Sequence, residues 1–109
     1  MTAPLSASAL YILLALIDGK RHGYAIAEEA AEQSGGAVRL GPATLYGTLQ
    51  RLLDQELVAT AEPPPGVDER RRYYRLTSAG RLALEAEITR MDKLVRKARL
   101  SRGRLITSK

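Results

Sequence analysis

The chain of 109 residues has no cysteine, no phenylalanine and no tryptophan, and a single histidine. Without cysteine there is no disulfide framework and no thiolate metal site, which suits a reducing compartment such as the cytoplasm. One histidine, His22, cannot build a histidine metal cluster, and no cofactor is expected. A glycine-rich phosphate loop with its lysine is missing, as is a carboxylate pair in a recognisable pocket motif, so an enzyme is not expected. The longest unbroken apolar run, Ala9 to Ile17, is far short of the roughly 20 residues a membrane helix needs. No Lys or Arg precedes it, as a secretory signal would require. A membrane partner is therefore not expected either.

What is present is an ordinary globular composition, 45% hydrophobic and 27% charged, at a length that allows one domain with a modest core. The net charge of +5 is unevenly placed. Residues 1–69 carry four basic groups against nine acidic ones, whereas residues 70–109 carry thirteen against three. Such segregation points to a polyanionic partner for the C-terminal part of the chain. The alternative is a solvated charged surface that keeps the protein soluble.

Helical period accounts for most of the chain. Leu5 to Ile17 reads as a first helix, with Leu10, Leu13, Leu14 and Ile17 on one side, Ile12 and Leu16 widening the stripe, and Ser6 or Ser8 as cap. Asp18-Gly19 ends it. A second helix from about Gly23 to Gln33 is expected to bury Tyr24, Ile26, Ala27 and Ala30 and to expose Glu28, Glu29 and Glu32. His22, at the turn before it, reads as a structural hydrogen-bonding residue. Gly41-Pro42 opens a third helix, since proline's fixed φ and missing N–H cost nothing at the first helical position. Leu45, Leu49, Leu52 and Leu53 form its apolar stripe. Thr44, Gly47, Gln50, Arg51 and Asp54 lie opposite, with Tyr46 and Thr48 at the borders. A glycine at the centre of an exposed helical face costs about 1 kcal/mol relative to alanine. Close approach of another backbone would be a reason for it.

Two strand-like segments follow, Leu57 to Glu62 and Arg70 to Leu76, rich in β-formers and bounded by turn residues. Period two puts Tyr74 and Leu76 on one face and Arg71, Tyr73 and Arg75 on the other. Between them Pro63 to Glu69 is too long for a tight turn and stiffened by three prolines, so the loop should project.

Three stretches, His22-Gly23-Tyr24-Ala25-Ile26, Thr44 to Leu52, and the arginine run into Tyr73-Tyr74-Arg75-Leu76-Thr77, together resemble the PadR family of winged helix-turn-helix transcriptional regulators. The resemblance covers roughly residues 8 to 90. It implies a mainly α fold with a small β-hairpin, a winged helix over residues 1–76, and a dimeric, repressor-type bacterial protein that binds double-stranded DNA. Thr44, Gly47, Thr48 and Arg51 would then face a major groove, and the family surface also includes Tyr46, which periodicity leaves between core and DNA. Arg70, Arg71, Arg72 and Arg75 would meet the backbone or the minor groove, with Arg71 and Arg72 the first candidates. Asp68 and Glu69 beside them would repel DNA unless they pair with those arginines or point away. A winged helix can also serve as a protein-interaction module without DNA affinity, although the small polar face of the third helix argues against that.

Thr77 is a natural cap for a last helix. Leu84, Ile88, Met91, Val95 and Ala98 repeat at coiled-coil spacing with Leu94 alongside, which predicts a dimer interface over residues 77–101. The resemblance supports the homodimer. It also places the first and last helices around a cavity that in some members accepts aromatic small molecules, which implies Tyr11 as a lining residue for an aromatic effector. The lack of Phe and Trp speaks against a stacking pocket. The basic end, residues 102–109, is expected to be disordered, with Gly103 ending the ordered chain.

Overall fold

In the computed structural model, which describes residues 4–107, the first helix, α1 (Ala7–Ala15), starts where the Ser6 hydroxyl accepts a hydrogen bond from the Ala9 N–H. Ser8 has no capping role. The short strand β1 (Arg21–His22) leads directly into α2 (Gly23–Gln33), whose bounds are those the sequence pattern predicts. Helix α3 (Pro42–Asp54) begins at Gly41-Pro42. Strands β2 (Val58–Ala61) and β3 (Tyr73–Leu76) form the expected hairpin, and α4 (Ser78–Leu100) closes the domain.

The sheet has three antiparallel strands in the order β1-β3-β2, one more than the hairpin alone. Arg21 lies opposite Tyr74 and His22 opposite Tyr73, while Val58 to Ala61 run against Leu76 to Tyr73. Adding β1 changes the fate of Tyr73. Expected on an open cationic face, it is buried beside Tyr74, with the His22 ring set edge-on to it at 5.5 Å between centroids.

Ile12 and Leu13 of α1 and Leu16 just past its end meet Ile26 of α2, Leu45, Leu49 and Leu52 of α3, and Val58, Tyr74 and Leu76 of the sheet in one core. Burying each of the larger aliphatic side chains contributes about 1.5–3 kcal/mol. Three positions depart from the helical pattern: Ile17, expected in the stripe of a first helix running from Leu5 to Ile17, lies past the end of α1 and is exposed. Tyr24, expected inside, is 68% exposed, because the core side of α2 is already filled by Ile26 and Ala30. Leu84, expected in a dimer seam, is 3% exposed and belongs to the domain's own core.

The junction between the wing and α4 is a tight backbone crossing. Thr77 caps α4 by accepting from the Gly80 N–H, and its hydroxyl donates to the Glu56 carbonyl at 2.7 Å and the Leu57 carbonyl at 3.0 Å. Glu56 itself, just past the end of α3, is left-handed at φ 59°. A Cβ on Gly80 would collide with the Leu57 carbonyl oxygen and lie 2.8 Å from Leu76 Cδ1. Only glycine lets α4 start this close to β2.

Helix α4 is 23 residues long, about 34 Å at 1.5 Å per residue. It buries Gly80, Leu84 and Glu87, and every residue from Ile88 to Leu100 is exposed. The arm explains the elongated outline of 58 × 30 × 23 Å. Beyond Ser101 the chain turns into a short helix, α5 (Arg102–Thr107). The expected disordered tail is thus helical through residue 107, with Gly103 inside the helix, and Ser108 and Lys109 lie outside the described residues.

Candidate nucleic-acid interface

Because α3 starts at a proline with no side-chain cap, its first N–H groups are free to meet an anion. Behind that end, Ala43, Thr44, Tyr46, Gly47, Gln50, Arg51 and Asp54 are all exposed. Nothing lies within 4 Å of where a Gly47 Cβ would be, so the centre of this face is bare backbone. Tyr46 is half-exposed and reaches sideways across the start of α2. There a Cβ on Gly23 would sit 2.5 Å from its hydroxyl, so the missing side chain at residue 23 makes room for the ring.

Thr48 does not belong to this face. It is 2% exposed, and its hydroxyl accepts from Arg51 Nη2 at 3.1 Å. The helical wheel puts residue 48 at the stripe's edge, on the flank of α3 that meets α1 and the segment before it. Thr48, Arg51, Leu5, Ala9, Leu52 and Leu57 line a depression of about 410 Å³ there. Tyr11, half-buried on α1, is not among its lining residues. Arg51 remains exposed but leans toward this flank and away from Gly47.

The four wing arginines line one dent but differ in their partners. Arg70 is tied to Asp68 through its backbone N–H and its guanidinium, at 2.9 and 3.2 Å, and these bonds hold the Asp68 carboxyl below its usual pKa. The carboxylate that threatened to repel DNA is thus paired. Arg71 Nη1 stands 3.0 Å from His22 Nε2. Arg72 lies by the Tyr74 hydroxyl, whose pKa burial pushes up while the guanidinium opposes the shift; the Tyr46 hydroxyl acts on the same group. Arg75 is exposed on β3 opposite Ala59 and joins Lys20, Glu69 and the other arginines around a dent on the outer side of the wing.

Two residues stand where sequence reasoning did not place them. Tyr24, beside Gly23, presents its ring to solvent at the start of α2, and only the packing of α2 could reveal that. Glu87 is 6% exposed, with its carboxylate accepting from the Leu5 N–H and from Arg90 Nε, both at 2.6 Å. A glutamate on a charged helix gives no local signal of such burial.

Among the described residues no group of three or more His, Asp or Glu side chains could hold a metal ion, and no helix is long and apolar enough to cross a membrane. A three-helix domain with a three-stranded sheet, an open helical face and an arginine-bearing β2–β3 loop defines the winged-helix class of DNA-binding proteins. Residues 12–86 match the PadR-like family of transcriptional regulators, and the chain belongs to that family. It is 36% identical over 88 residues to the transcriptional regulator Rv3488 of Mycobacterium tuberculosis, covering 80% of this chain and 78% of that one. It is 46% identical over 85 residues to an uncharacterised 37.1 kDa protein of transposon TN4556 from Streptomyces fradiae, covering 78% of this chain but 23% of that relative. Among solved structures, a PadR family regulator of Clostridium difficile superimposes with a TM-score of 0.69 at 26% identity, over 87% and 99% of the two chains. Bacillus subtilis PadR in complex with operator DNA superimposes with a TM-score of 0.66 at 23% identity, over 76% and 47%.

Proposed function

We propose that this regulator binds operator DNA as a homodimer and represses transcription, with the N-terminal half of α3 in the major groove and the β2–β3 wing on the backbone or minor groove. The observation that carries the reading is the bare backbone at Gly47, on the helix whose Thr44, Tyr46 and Gln50 are exposed around it. A groove wall can approach the helix there without meeting a side chain, while Thr44, Tyr46 and Gln50 stand ready beside it to reach phosphates or base edges. Thr48 leaves the set of groove contacts because it is buried. The family match and a relative solved on operator DNA favour the same reading.

Dimerisation follows from the arm. Ile88, Met91, Leu94, Val95 and Ala98 are exposed along one stretch of α4 with no part of the domain over them. An apolar seam of this length is covered by a second copy in coiled-coil fashion. Two-fold symmetry would then place two α3 helices on one side of the duplex, with half-sites about 34 Å apart. Selection of bound DNA from a random pool at moderate salt tests the whole reading. Enrichment of a dyad-symmetric sequence is expected, and a pool that stays random would overturn it.

A further inference from the structure

His22 sits between two hydrogen-bond donors. Its Nδ1 faces the Ala25 N–H at 3.2 Å, capping α2, and its Nε2 is 3.0 Å from Arg71 Nη1. A neutral imidazole has one acceptor nitrogen and one N–H, an imidazolium has two N–H groups, and arginine and the backbone amide can only donate. In every protonation state at least one of the two contacts therefore sets donor against donor. Edge-on packing against Tyr73 restricts the ring, so it cannot easily turn away. Retaining the helix cap places the proton on Nε2, and the Nε2–H and the Arg71 guanidinium then converge with no oxygen between them. The nearby Asp68 carboxylate is already held by Arg70.

Building on the DNA-binding reading above, we propose that His22 and Arg71 together form a site for one backbone phosphate of the operator. A phosphate oxygen entering between Nε2 and Nη1 accepts from both, and it resolves the opposition by separating them. The two donors come from different elements, β1 at the start of α2 and the base of the wing, so one phosphate would clamp the wing to the helix-turn-helix. Exposed Tyr24 lies next along α2 and flanks this position. His22 thereby acquires a binding role besides its cap.

The cap and the phosphate contact separate by substitution. His22→Asn and His22→Ser retain a capping oxygen and lose the Nε2–H at the far edge of the ring, the asparagine amide N–H being held closer to the backbone, while His22→Asp retains the cap and puts a carboxylate beside Arg71. Wild type must first bind a selected operator duplex with a steep salt dependence; a flat, weak response there would defeat the DNA-binding reading itself. Given that binding, His22→Asn should leave the thermal midpoint near that of wild type and weaken operator binding roughly tenfold, the size of one hydrogen bond to a charged group. The slope of log affinity against log salt should stay close to that of wild type, because Arg71 remains to neutralise the phosphate, whereas Arg71→Ala should reduce it by about 0.9. His22→Asp should bind more weakly still, and His22→Asn added to Arg71→Ala should cost little beyond Arg71→Ala alone. Wild-type affinity in both His22→Asn and His22→Ser, or full additivity with Arg71→Ala, would overturn the shared site.

Discussion

The Glu87 carboxylate accepts a hydrogen bond from the Leu5 backbone N–H at 2.6 Å, joining residues 82 apart in the chain. Glu87 is also the last buried residue of α4 before the arm leaves the domain. The bond therefore straps the segment before α1 to the root of the exposed arm of α4.

Arg90 first, and then the Leu5 N–H, hold the Glu87 carboxyl below its usual value of 4.5. A carboxylate whose folded pKa is lowered adds stability above its unfolded pKa, and that stability is lost as the pH falls through the lowered value. Thermal midpoints of wild type should thus decline as the pH drops below about 4.5. Glu87→Gln should melt lower at pH 7, and the gap between the two should close toward pH 3. Parallel melting curves at every pH would count against the strap.

Gly80→Ala places a methyl against the Leu57 carbonyl oxygen, which is backbone and cannot swing aside. A loss of about 3 kcal/mol is expected, the upper end of overpacking costs, read as a lower urea midpoint. A variant as stable as wild type would show that α4 can shift without cost.

Gly47→Ala should act in opposite directions on fold and function. The position is helical and open, so alanine should add about 0.5–1 kcal/mol of stability. The same methyl stands where the groove is proposed to approach, so operator affinity should fall. Equal or tighter binding by the more stable variant would move the docking face elsewhere.

The three consecutive arginines, Arg70, Arg71 and Arg72, serve as a wing test when changed together to alanine. Binding should weaken across all sequences, and the salt dependence should flatten by about 0.9 for each phosphate that is no longer neutralised. Because Arg70 is occupied by Asp68, Arg70→Ala alone should change the slope least.

Leu94→Glu tests the arm. Residue 94 is 59% exposed in the single chain, so the domain's own stability should change by no more than about 0.5 kcal/mol. Sedimentation should show a shift from dimer to monomer, with operator affinity dropping in step. A monomeric wild type would remove the two-fold arrangement.

Much of the architecture was legible from local chemistry. The bounds of α2, the proline start of α3, the Thr77 cap and the Leu45–Leu49–Leu52 stripe follow from helical period and end signals, which involve residues at most four positions apart. The open face at Gly47 was legible for the same reason. Strand β1 was not, since two residues form a strand only when a partner some 50 positions away lies alongside.

The borders of each face were decided by what packs against them. Thr48 and Tyr46 both flank the apolar stripe of α3, yet one is sealed and the other open, because one flank meets α1 and the segment before it while the other meets the start of α2 at Gly23. Leu84 and Ile88 continue a single heptad pattern, but the domain ends between them. By itself the sequence determined the existence of α1 to α4, the Thr77 cap and the family, as these depend on neighbours along the chain. Tertiary structure alone decided which tyrosine meets solvent, which carboxylate is buried and where His22 meets the wing, because those outcomes depend on contacts between segments far apart in sequence.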